Sequence, residues 1–340
     1  MASIASYQDK HASGYLPSAS KKNAELFYNS VNPFKRVFPI YLMVGFVLLT
    51  VLFVNIFRHK TMGPKVRMIF YGLILLGFIV HTAGLAMRWY ISGHAPWSNG
   101  YESMIYVAWA SMLAGLIFGR KYPMVVGTAA MLTGIILFVA HLNWMNPEIT
   151  HLVPVLNSYW LMIHVAIITA SYGFIGMSAF IGLLVLVLYS VSNEENSANI
   201  KNLVLQLTAI SEMSVTVGLY LLTVGTFLGG VWANESWGRY WGWDAKETWA
   251  LITVVVYSFI AHMRLIPSLR GIYNYTIASV LGFSSVLMTY FGVNYYLSGL
   301  HSYGRGSVDS VHWSVFVIIG VIAALMIVSN FKQKNLEFEK

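Results

Sequence analysis

The sequence predicts an all-α membrane protein with about nine transmembrane helices and a tryptophan-rich loop on its outer face. Three observations lead to that prediction. Of the 340 residues, 57% are hydrophobic and only 10% are charged, whereas soluble domains carry roughly 25% charged residues. Phe38–Phe57 and Met68–Met87 are each twenty residues without Asp, Glu, Lys or Arg, enough to cross a hydrocarbon layer of about 30 Å. Five of the eleven tryptophans crowd into residues 232–250.

Apolar runs define the elements in order. The predicted spans are residues 38–57, 68–87, 103–119, 122–140, 159–191, 213–231, 247–263, 272–297 and 311–330. Residues 1–37 are polar and lack the basic start and short apolar core of a signal peptide. We therefore expect a polar extracytoplasmic segment at 1–37, a transmembrane domain at 38–331 with a tryptophan-rich loop at 232–247, and a cytoplasmic tail at 332–340.

Lys and Arg in the loops predict the orientation, because cytoplasmic loops of membrane proteins are enriched in both. Twelve lie on one predicted side, and four lie on the other beyond residue 37, namely Arg88, Arg239, Lys246 and Arg305. The tryptophan-rich stretch is then outside the cytoplasm. So is residue 1, which suggests that the chain is the rear part of a longer polypeptide or assembles with another membrane protein.

Charge and cysteine content exclude some chemistry. The net charge of +8 is assigned to cytoplasmic loops in contact with the lipid bilayer rather than to a nucleic-acid surface. The chain has no cysteine, so it supplies no thiolate ligand or thiol nucleophile, and any sulfur chemistry must come from a partner.

The stretch WANESWGRYWGWDAKETWA, residues 232–250, differs from an ordinary interfacial belt of tryptophans. Trp232, Trp237, Trp241 and Trp243 alternate with glycines and polar residues, and glycines allow close approach of a backbone or ligand. Such a cluster offers a platform for a large, flat, apolar ligand. Asp244 followed by Glu247 resembles a capping box, which predicts that the platform runs directly into a helix.

The motif WGRYWGWDAKETWA resembles the WWD motif of the haem-handling proteins of cytochrome c biogenesis. The similarity is strongest to the CcsA (ResC) type and to the C-terminal part of fused CcsBA synthases. RWYISGHAPWSNGYES at 88–103, LVPVLNSYWLMIHV at 152–165 and GLHSYG at 299–304 agree with it. Ala245 departs from the family's usual proline, which would also suit a first helical turn.

This resemblance implies a cytochrome c synthase, or haem lyase. Such a protein brings haem b to the outer face and attaches it through thioether bonds to the CXXCH motif of apocytochrome c. Haem b would be both substrate and bound ligand, with a CcsB/ResB-like membrane protein, fused or separate, as partner. The implied location is the bacterial inner membrane, with a plastid thylakoid membrane as the alternative.

Three histidines are candidate ligands of haem iron. His164 and His301 lie on the same predicted side as the tryptophan stretch, one before it and one after it. The resemblance assigns these two positions to the external haem. His262, at the opposite end of its span, is too far along a helix rising 1.5 Å per residue to reach that haem. The resemblance assigns it to a second haem within the membrane.

The second ligand of that inner haem is open at this stage. His81 lies late in an outward-running span, whereas His59 has the predicted depth of His262 but is flanked by Arg58 and Lys60. In the family this ligand is generally supplied by the CcsB portion, so we expect it from a partner.

The remaining candidates are two arginines and an aspartate. Arg88 and Arg239 are candidates to pair with the haem propionates, because a guanidinium group forks onto a carboxylate. Asp244 joins His164 and His301 as a candidate catalytic residue. The main alternative function is a haem transporter or carrier that delivers haem to a separate ligase or chaperone. A b-type cytochrome that only transfers electrons would explain the histidines but not the tryptophan platform.

Overall fold

The computed structural model describes residues 16–142, 145–150, 152, 157–297 and 311–336, with positions 4, 6, 7, 10 and 11 near the N-terminus. Within these ranges the chain is helical. The helices are α1 (Ala19–Val31), α2 (Pro33–Phe57), α3 (Pro64–Ser92), α4 (Gly100–Phe118), α5 (Pro123–Ala140), α6 (Tyr159–Ser190), α7 (Ser197–Trp237), α8 (Ala245–His262), α9 (Ile272–Leu287), α10 (Val293–Tyr296) and α11 (Trp313–Lys332).

Nine helical segments of the described chain are long and apolar enough to cross a membrane, which confirms the predicted fold class. The first of them joins α1 to α2 at Asn32, whose φ is 43°. This helix pair begins at Ala19, so part of the segment predicted to be polar and extracytoplasmic is helical. Large apolar side chains face outward on several helices, for example Met68 at 71% exposure and Phe331 at 74%, as expected of a lipid-facing surface.

Helix boundaries follow local chemistry. Pro33, Pro64 and Pro123 stand at the first positions of α2, α3 and α5, where a missing N–H costs nothing. Helices α3 and α7 end at Gly93 and Gly238, with φ of 78° and 71°, a left-handed conformation that glycine adopts without strain.

Helix α7 is much longer than the apolar run 213–231 predicts, since it extends over 41 residues. Its first four turns carry polar residues, which lower the local hydropathy. They also carry Ile200, Val204 and Leu207, all buried, at the spacing of one helical face. That face packs on the protein core, and it is this packing rather than hydropathy that keeps the segment helical.

One end of the bundle is called the tryptophan face: α3, α5 and α7 end there, and α4, α6 and α8 begin there. Hydrogen bonds join these ends. Trp97 Nε1 donates to the carbonyl of Met162 at 2.9 Å, and Ser158 Oγ donates to Glu235 Oε2 at 3.0 Å. These links fix the start of α6 to the connection between α3 and α4 and to the end of α7.

The opposite end of the bundle is tied in the same way. Tyr71 donates to the carbonyl of Gly119 at 2.7 Å, and Asn199 Nδ2 lies 3.1 Å from His59 Nδ1. Arg264 forms an ion pair with Glu212. The two sets of contacts hold consecutive helices antiparallel, as the alternation of predicted spans requires.

Candidate functional site

A cavity of about 550 Å³ opens at the tryptophan face, within the range of about 300–1,000 Å³ typical of small-molecule and cofactor pockets. We call it the tryptophan cavity. It lies between α4, α6, α7, α8 and the end of α9, and its walls include His164, Trp232, Tyr240, Trp241, Lys246 and Tyr290. The site therefore gathers residues from α4, α6, α7 and α8, from the segment that follows α9, and from the connection between α7 and α8.

His164 lies in the second turn of α6, is 6% exposed and lines this cavity. Its Nδ1 is 2.8 Å from the carbonyl oxygen of Trp160, one turn earlier. A carbonyl only accepts hydrogen bonds, so the neutral ring carries its proton on Nδ1 and its lone pair on Nε2. Histidine ligands of metals are commonly held in this way by a backbone carbonyl.

Packing against α7 fixes the ring of His164. The Trp232 indole stacks on it with ring centroids 5.3 Å apart and planes 29° apart. One turn before Trp232, a Cβ built on Gly229 would stand 3.4 Å from His164 Cδ2. One turn earlier again, a Cβ on Gly225 would approach Ile168 Cγ1 to 2.6 Å. Glycine at position 225 therefore lets α6 and α7 approach closely and bring the imidazole beside the indole, whereas a Cβ at position 229 would make an ordinary van der Waals contact.

Two of the four predicted platform tryptophans lie on helix α7 rather than in a loop. Trp232 is fully buried, and Trp237 packs edge-on against it with centroids 4.8 Å apart. Gly238 ends the helix immediately afterwards. These two indoles are therefore held by the last turns of a regular helix, and Trp232 forms part of the cavity wall.

Trp241 and Trp243 follow the end of α7. Trp241 lines the cavity, and its buried Nε1–H has no acceptor among the described residues. Trp243 lies outside the cavity lining, is 70% exposed and packs edge-on to Trp241 at 5.8 Å. Its φ of 58° is strained for a bulky residue, and such strain is concentrated at functional sites.

The predicted capping box at the start of α8 is confirmed. Asp244 Oδ1 accepts from the N–H of Glu247 at 2.9 Å. Glu247 Oε2 in turn accepts from the N–H of Gly242 at 2.7 Å and from that of Asp244 at 3.4 Å. The position of Asp244 accounts for the local fold, and its catalytic role stays a prediction.

Arg88 is fully buried and is not part of the cavity wall. Its Nε and Nη2 donate to Glu102 Oε1 at 3.2 and 2.9 Å. Nη1 donates to the Tyr28 hydroxyl at 3.3 Å and the Pro147 carbonyl at 2.8 Å, and Nη2 donates to the Glu148 carbonyl at 3.3 Å. These bonds use all five N–H groups of the guanidinium. The geometry thus gives Arg88 a structural function and leaves no N–H directed at a propionate.

Arg239 is exposed and is also outside the cavity wall. Its guanidinium lies over Gly242, where a built Cβ would come within 2.9 Å of Arg239 Cζ. The arginine therefore covers the backbone of the connection between α7 and α8 from outside.

The other sequence-predicted histidines are dispersed. His301 lies outside the described residues. His262 ends α8 on the opposite side of the bundle, exposed, with Nδ1 2.7 Å from the carbonyl of Ser258. His81 is fully enclosed, with Nε2 3.0 Å from the carbonyl of Ile105 and with Phe34 and Tyr41 around the ring.

His59 is exposed beside Asn199, and Nε2 lies 3.8 Å from Glu195. Its surroundings are polar and its ring contacts the start of α7. Neither His81, enclosed among α2, α3 and α4, nor His59 is brought to His262 by the described contacts.

Sequence reasoning missed three cavity residues, Lys246, Tyr240 and Tyr290. Tyr290 lies in a π-helical turn, Met288–Gly292, and its hydroxyl donates to the carbonyl of Gly100 at 2.7 Å. No sequence signal marks such a turn. Lys246 did carry a signal, since a cation in the first turn of a helix opposes the helix dipole.

Comparison with known proteins gives consistent relatives. Residues 97–301 match the family described as cytochrome C assembly protein. The chain is 46% identical over 303 residues to protein NrfI of Wolinella succinogenes, covering 89% of this chain and 34% of NrfI. It thus spans about a third of that relative.

Two shorter relatives are covered far more completely. A cytochrome c biogenesis protein CcsA of Prochlorococcus marinus (strain MIT 9303) is 35% identical over 264 residues, which are 68% of this chain and 83% of that protein. The CcsA of Guillardia theta is 35% identical over 266 residues, which are 71% of this chain and 88% of that protein.

Proposed function

We propose, from the premise that this chain belongs to the CcsA-type family of cytochrome c assembly proteins, that it is a component of a cytochrome c synthase. It would hold haem b in the tryptophan cavity while the haem is joined to a CXXCH apocytochrome c. The observation that carries the proposal is His164, a buried imidazole that lines the tryptophan cavity, held by its Nδ1 bond to the carbonyl of Trp160 and stacked on Trp232.

The residues present fit haem as a substrate. An apolar macrocycle suits an aromatic wall, and imidazole is a common axial ligand of haem iron. His301, outside the described residues, is the proposed ligand on the opposite face of the ring. Two axial imidazoles would fix the plane of the macrocycle, and the indoles of Trp232 and Trp241 would limit its rotation within that plane.

The main contribution of this chain to attachment would be position. A thiol of the apocytochrome adds across a vinyl group: a C–S bond forms at one vinyl carbon, the thiol hydrogen goes to the other, and no electrons are gained or lost overall. Both sulfurs come from the substrate, since the chain has no cysteine. Holding vinyl and thiol in reacting geometry supplies the acceleration, so a rigid cavity at the end of packed helices suits the task.

A second haem site at His262, completed by a CcsB/ResB-like partner, is the proposed entry point. His262 is exposed at the end of α8, and among the described histidines neither His81 nor His59 is placed to face it. In this proposal haem moves from His262 toward the tryptophan face, which would be the periplasmic or outer side of a bacterial inner membrane.

The second candidate function is a carrier that binds haem in the same cavity and passes it to a separate ligase or chaperone. The size and aromatic wall of the cavity serve both functions equally. The two differ in whether covalent attachment depends on the cavity residues after haem has been bound.

The test is the absorption spectrum of the purified protein, with and without a CcsB/ResB-like partner, together with covalent cytochrome c formed in the same cells. His164→Ala and His301→Ala are expected to lose attachment and to recover part of it with added imidazole. His141→Ala is the matched control, because His141 makes the same bond to the carbonyl one turn earlier, at 2.9 Å to Leu137, but does not line the cavity.

Three outcomes distinguish a synthase from a carrier and from histidines that are only structural. Loss of attachment in the two variants with rescue by imidazole supports the synthase. Loss of bound haem with normal attachment by a co-expressed ligase supports the carrier. Wild-type spectra and attachment in both variants would make the histidines structural and refute both proposals.

A further inference from the structure

Lys246 is a cation placed where electrostatics disfavours one. It is the second residue of α8, whose N-cap is Asp244, and the positive end of a helix dipole repels a cation there. The side chain lines the tryptophan cavity. A cation at that position is expected to have an anionic partner.

Among the described residues, the charge of Asp244, two residues earlier, acts on Lys246, but no ion pair within 4.0 Å joins them. The ion pairs within 4.0 Å among the described residues are His59–Glu195, Arg88–Glu102 and Arg264–Glu212. No hydrogen bond to the ammonium group is found in that part of the chain either. A charge inside an aromatic-walled cavity is expensive to leave unpaired, so the cavity favours an anionic guest.

The two carboxylates that also line the cavity are already engaged. Glu247 Oε2 accepts from the N–H of Gly242 at 2.7 Å within the capping box. Glu148 Oε2 accepts from Asn146 Nδ2 at 3.2 Å. Neither lies within 4.0 Å of the Lys246 ammonium.

A second, independent donor belongs to another residue that lines the same cavity. The indole Nε1–H of Trp241 is buried and lacks an acceptor among the described residues, although tryptophan N–H groups usually find a partner when buried. An ammonium group and an indole N–H lining one cavity together match the acceptor oxygens of a carboxylate.

We propose that Lys246 and the Nε1–H of Trp241 form an anion subsite that takes one carboxylate of the ligand bound in the tryptophan cavity. The inference rests on the proposed function, under which the cavity binds haem and the carboxylate is one of its two propionates. The same chemistry could be met by an acidic side chain of the apocytochrome, and the experiment separates the two sources. The subsite would fix which edge of the macrocycle points toward α8 and hence where the vinyl groups point.

The test uses the full chain in lipid nanodiscs titrated with haem and with its dimethyl ester, in which both carboxylates are blocked. The variants are Lys246→Met, which removes the charge at similar length, and Lys246→Arg, which keeps it. Lys121→Met, in the exposed turn between α4 and α5, is the matched control. Because Lys246 opposes the helix dipole, Lys246→Met is expected to unfold at no lower a temperature than the wild type.

The wild type is expected to bind haem about ten- to hundredfold tighter than the ester, the usual range for a charge-assisted hydrogen bond. Lys246→Met should lose that preference by weakening haem alone, while Lys246→Arg and Lys121→Met should keep it. If the wild type binds haem and ester equally but Lys246→Met weakens an acidic CXXCH peptide and not its amidated form, the subsite serves the peptide.

Failure takes two distinguishable forms. If Lys246→Met keeps the full preference for free haem and binds the acidic peptide like the wild type, the anion subsite is refuted. The proposed function still stands in that case, provided that His164→Ala loses the haem spectrum. If the wild type shows no haem spectrum at all, the proposed function is refuted and the subsite with it.

Discussion

Removing Glu102 is expected to destabilise the whole tryptophan face, because Glu102 is the counterion of the buried guanidinium of Arg88. Both side chains are essentially unexposed, at 0% and 1%. The change proposed is Glu102→Gln, which keeps the shape of the side chain and removes its charge. Arg88 would then hold a full positive charge in the interior without a carboxylate.

The magnitude follows from the bonds. Glu102 Oε1 accepts two N–H groups of Arg88, at 3.2 and 2.9 Å, and Oε2 accepts the N–H of Ser98 at 3.0 Å. Removing one partner of a buried ion pair costs about 3–5 kcal/mol. Arg88→Met should cost a similar amount, since it leaves the Glu102 charge unpaired and frees the Tyr28 hydroxyl and two carbonyls. In the double variant Arg88→Met/Glu102→Leu the loss should be well below the sum, because no buried charge remains.

The assay is unfolding by increasing mole fraction of SDS in mixed micelles, followed by tryptophan fluorescence, with Arg239→Met as control. Arg239 is exposed, and its loss should change stability by less than about 0.5 kcal/mol. The reasoning is refuted if Glu102→Gln costs under about 1 kcal/mol. It is also refuted if Arg88→Met lowers haem affinity at unchanged stability, as a propionate ligand would.

Two further changes test the geometry around the cavity. Gly225→Ala places a Cβ 2.6 Å from Ile168 Cγ1, so it should cost about 1–3 kcal/mol. It should also reduce the haem absorbance that the proposed function assigns to His164, which lies on α6 one turn before Ile168. Gly229→Ala, with its nearest contact at 3.4 Å, is the tolerated control, and equal stability of the two variants by SDS titration would contradict the packing argument. Asp244→Ala should cost about 1 kcal/mol through loss of the N-cap, whereas Asp244→Asn keeps the cap. Normal covalent attachment in Asp244→Asn would limit Asp244 to capping. Loss of attachment in Asp244→Asn at wild-type stability would give the carboxylate a chemical function.

The spans were predictable where local hydropathy and local boundaries set them, with the first four turns of α7, which packing holds, as the exception. Proline at the first position of α2, α3 and α5 and glycine after α3 and α7 mark ends that need no tertiary information. The predicted capping box at Asp244 is of the same kind, since its hydrogen bonds join residues three apart in the chain. These features depend on neighbours that the sequence itself provides.

The pairing of Arg88 could not be predicted, because its partners come from α1, α4 and the α5–α6 connection. In sequence, Arg88 and Arg239 look equally suited to bind a propionate. Burial separates them: one is fully enclosed with every N–H used, and the other is exposed. Lys246 was missed for a related reason, since only the folded chain shows that its side chain lines the cavity.

Three histidines show that the helix sets the tautomer of a histidine but not its burial or its neighbours. His141, His164 and His262 each place Nδ1 within 2.9, 2.8 and 2.7 Å of the carbonyl one turn earlier, so the helix alone fixes the same tautomer in all three. The three histidines differ in their surroundings. His164 is enclosed against Trp232, while His262 is exposed on a face of α8 with Val255 at 61% and Phe259 at 51% exposure.

Under the proposed function, that face of α8 would hold haem firmly only when another protein covers it, because an exposed single imidazole provides neither a second ligand nor an apolar enclosure. We therefore expect His262→Ala to lower the haem content of the complex with a CcsB/ResB-like partner and to leave the isolated chain almost unchanged. His164→Ala should lower the haem content of both. Haem per protein, measured by absorbance after purification with and without the partner, tests this. An equal loss from the isolated chain and the complex would mean that α8 binds the inner haem without a partner's ligand.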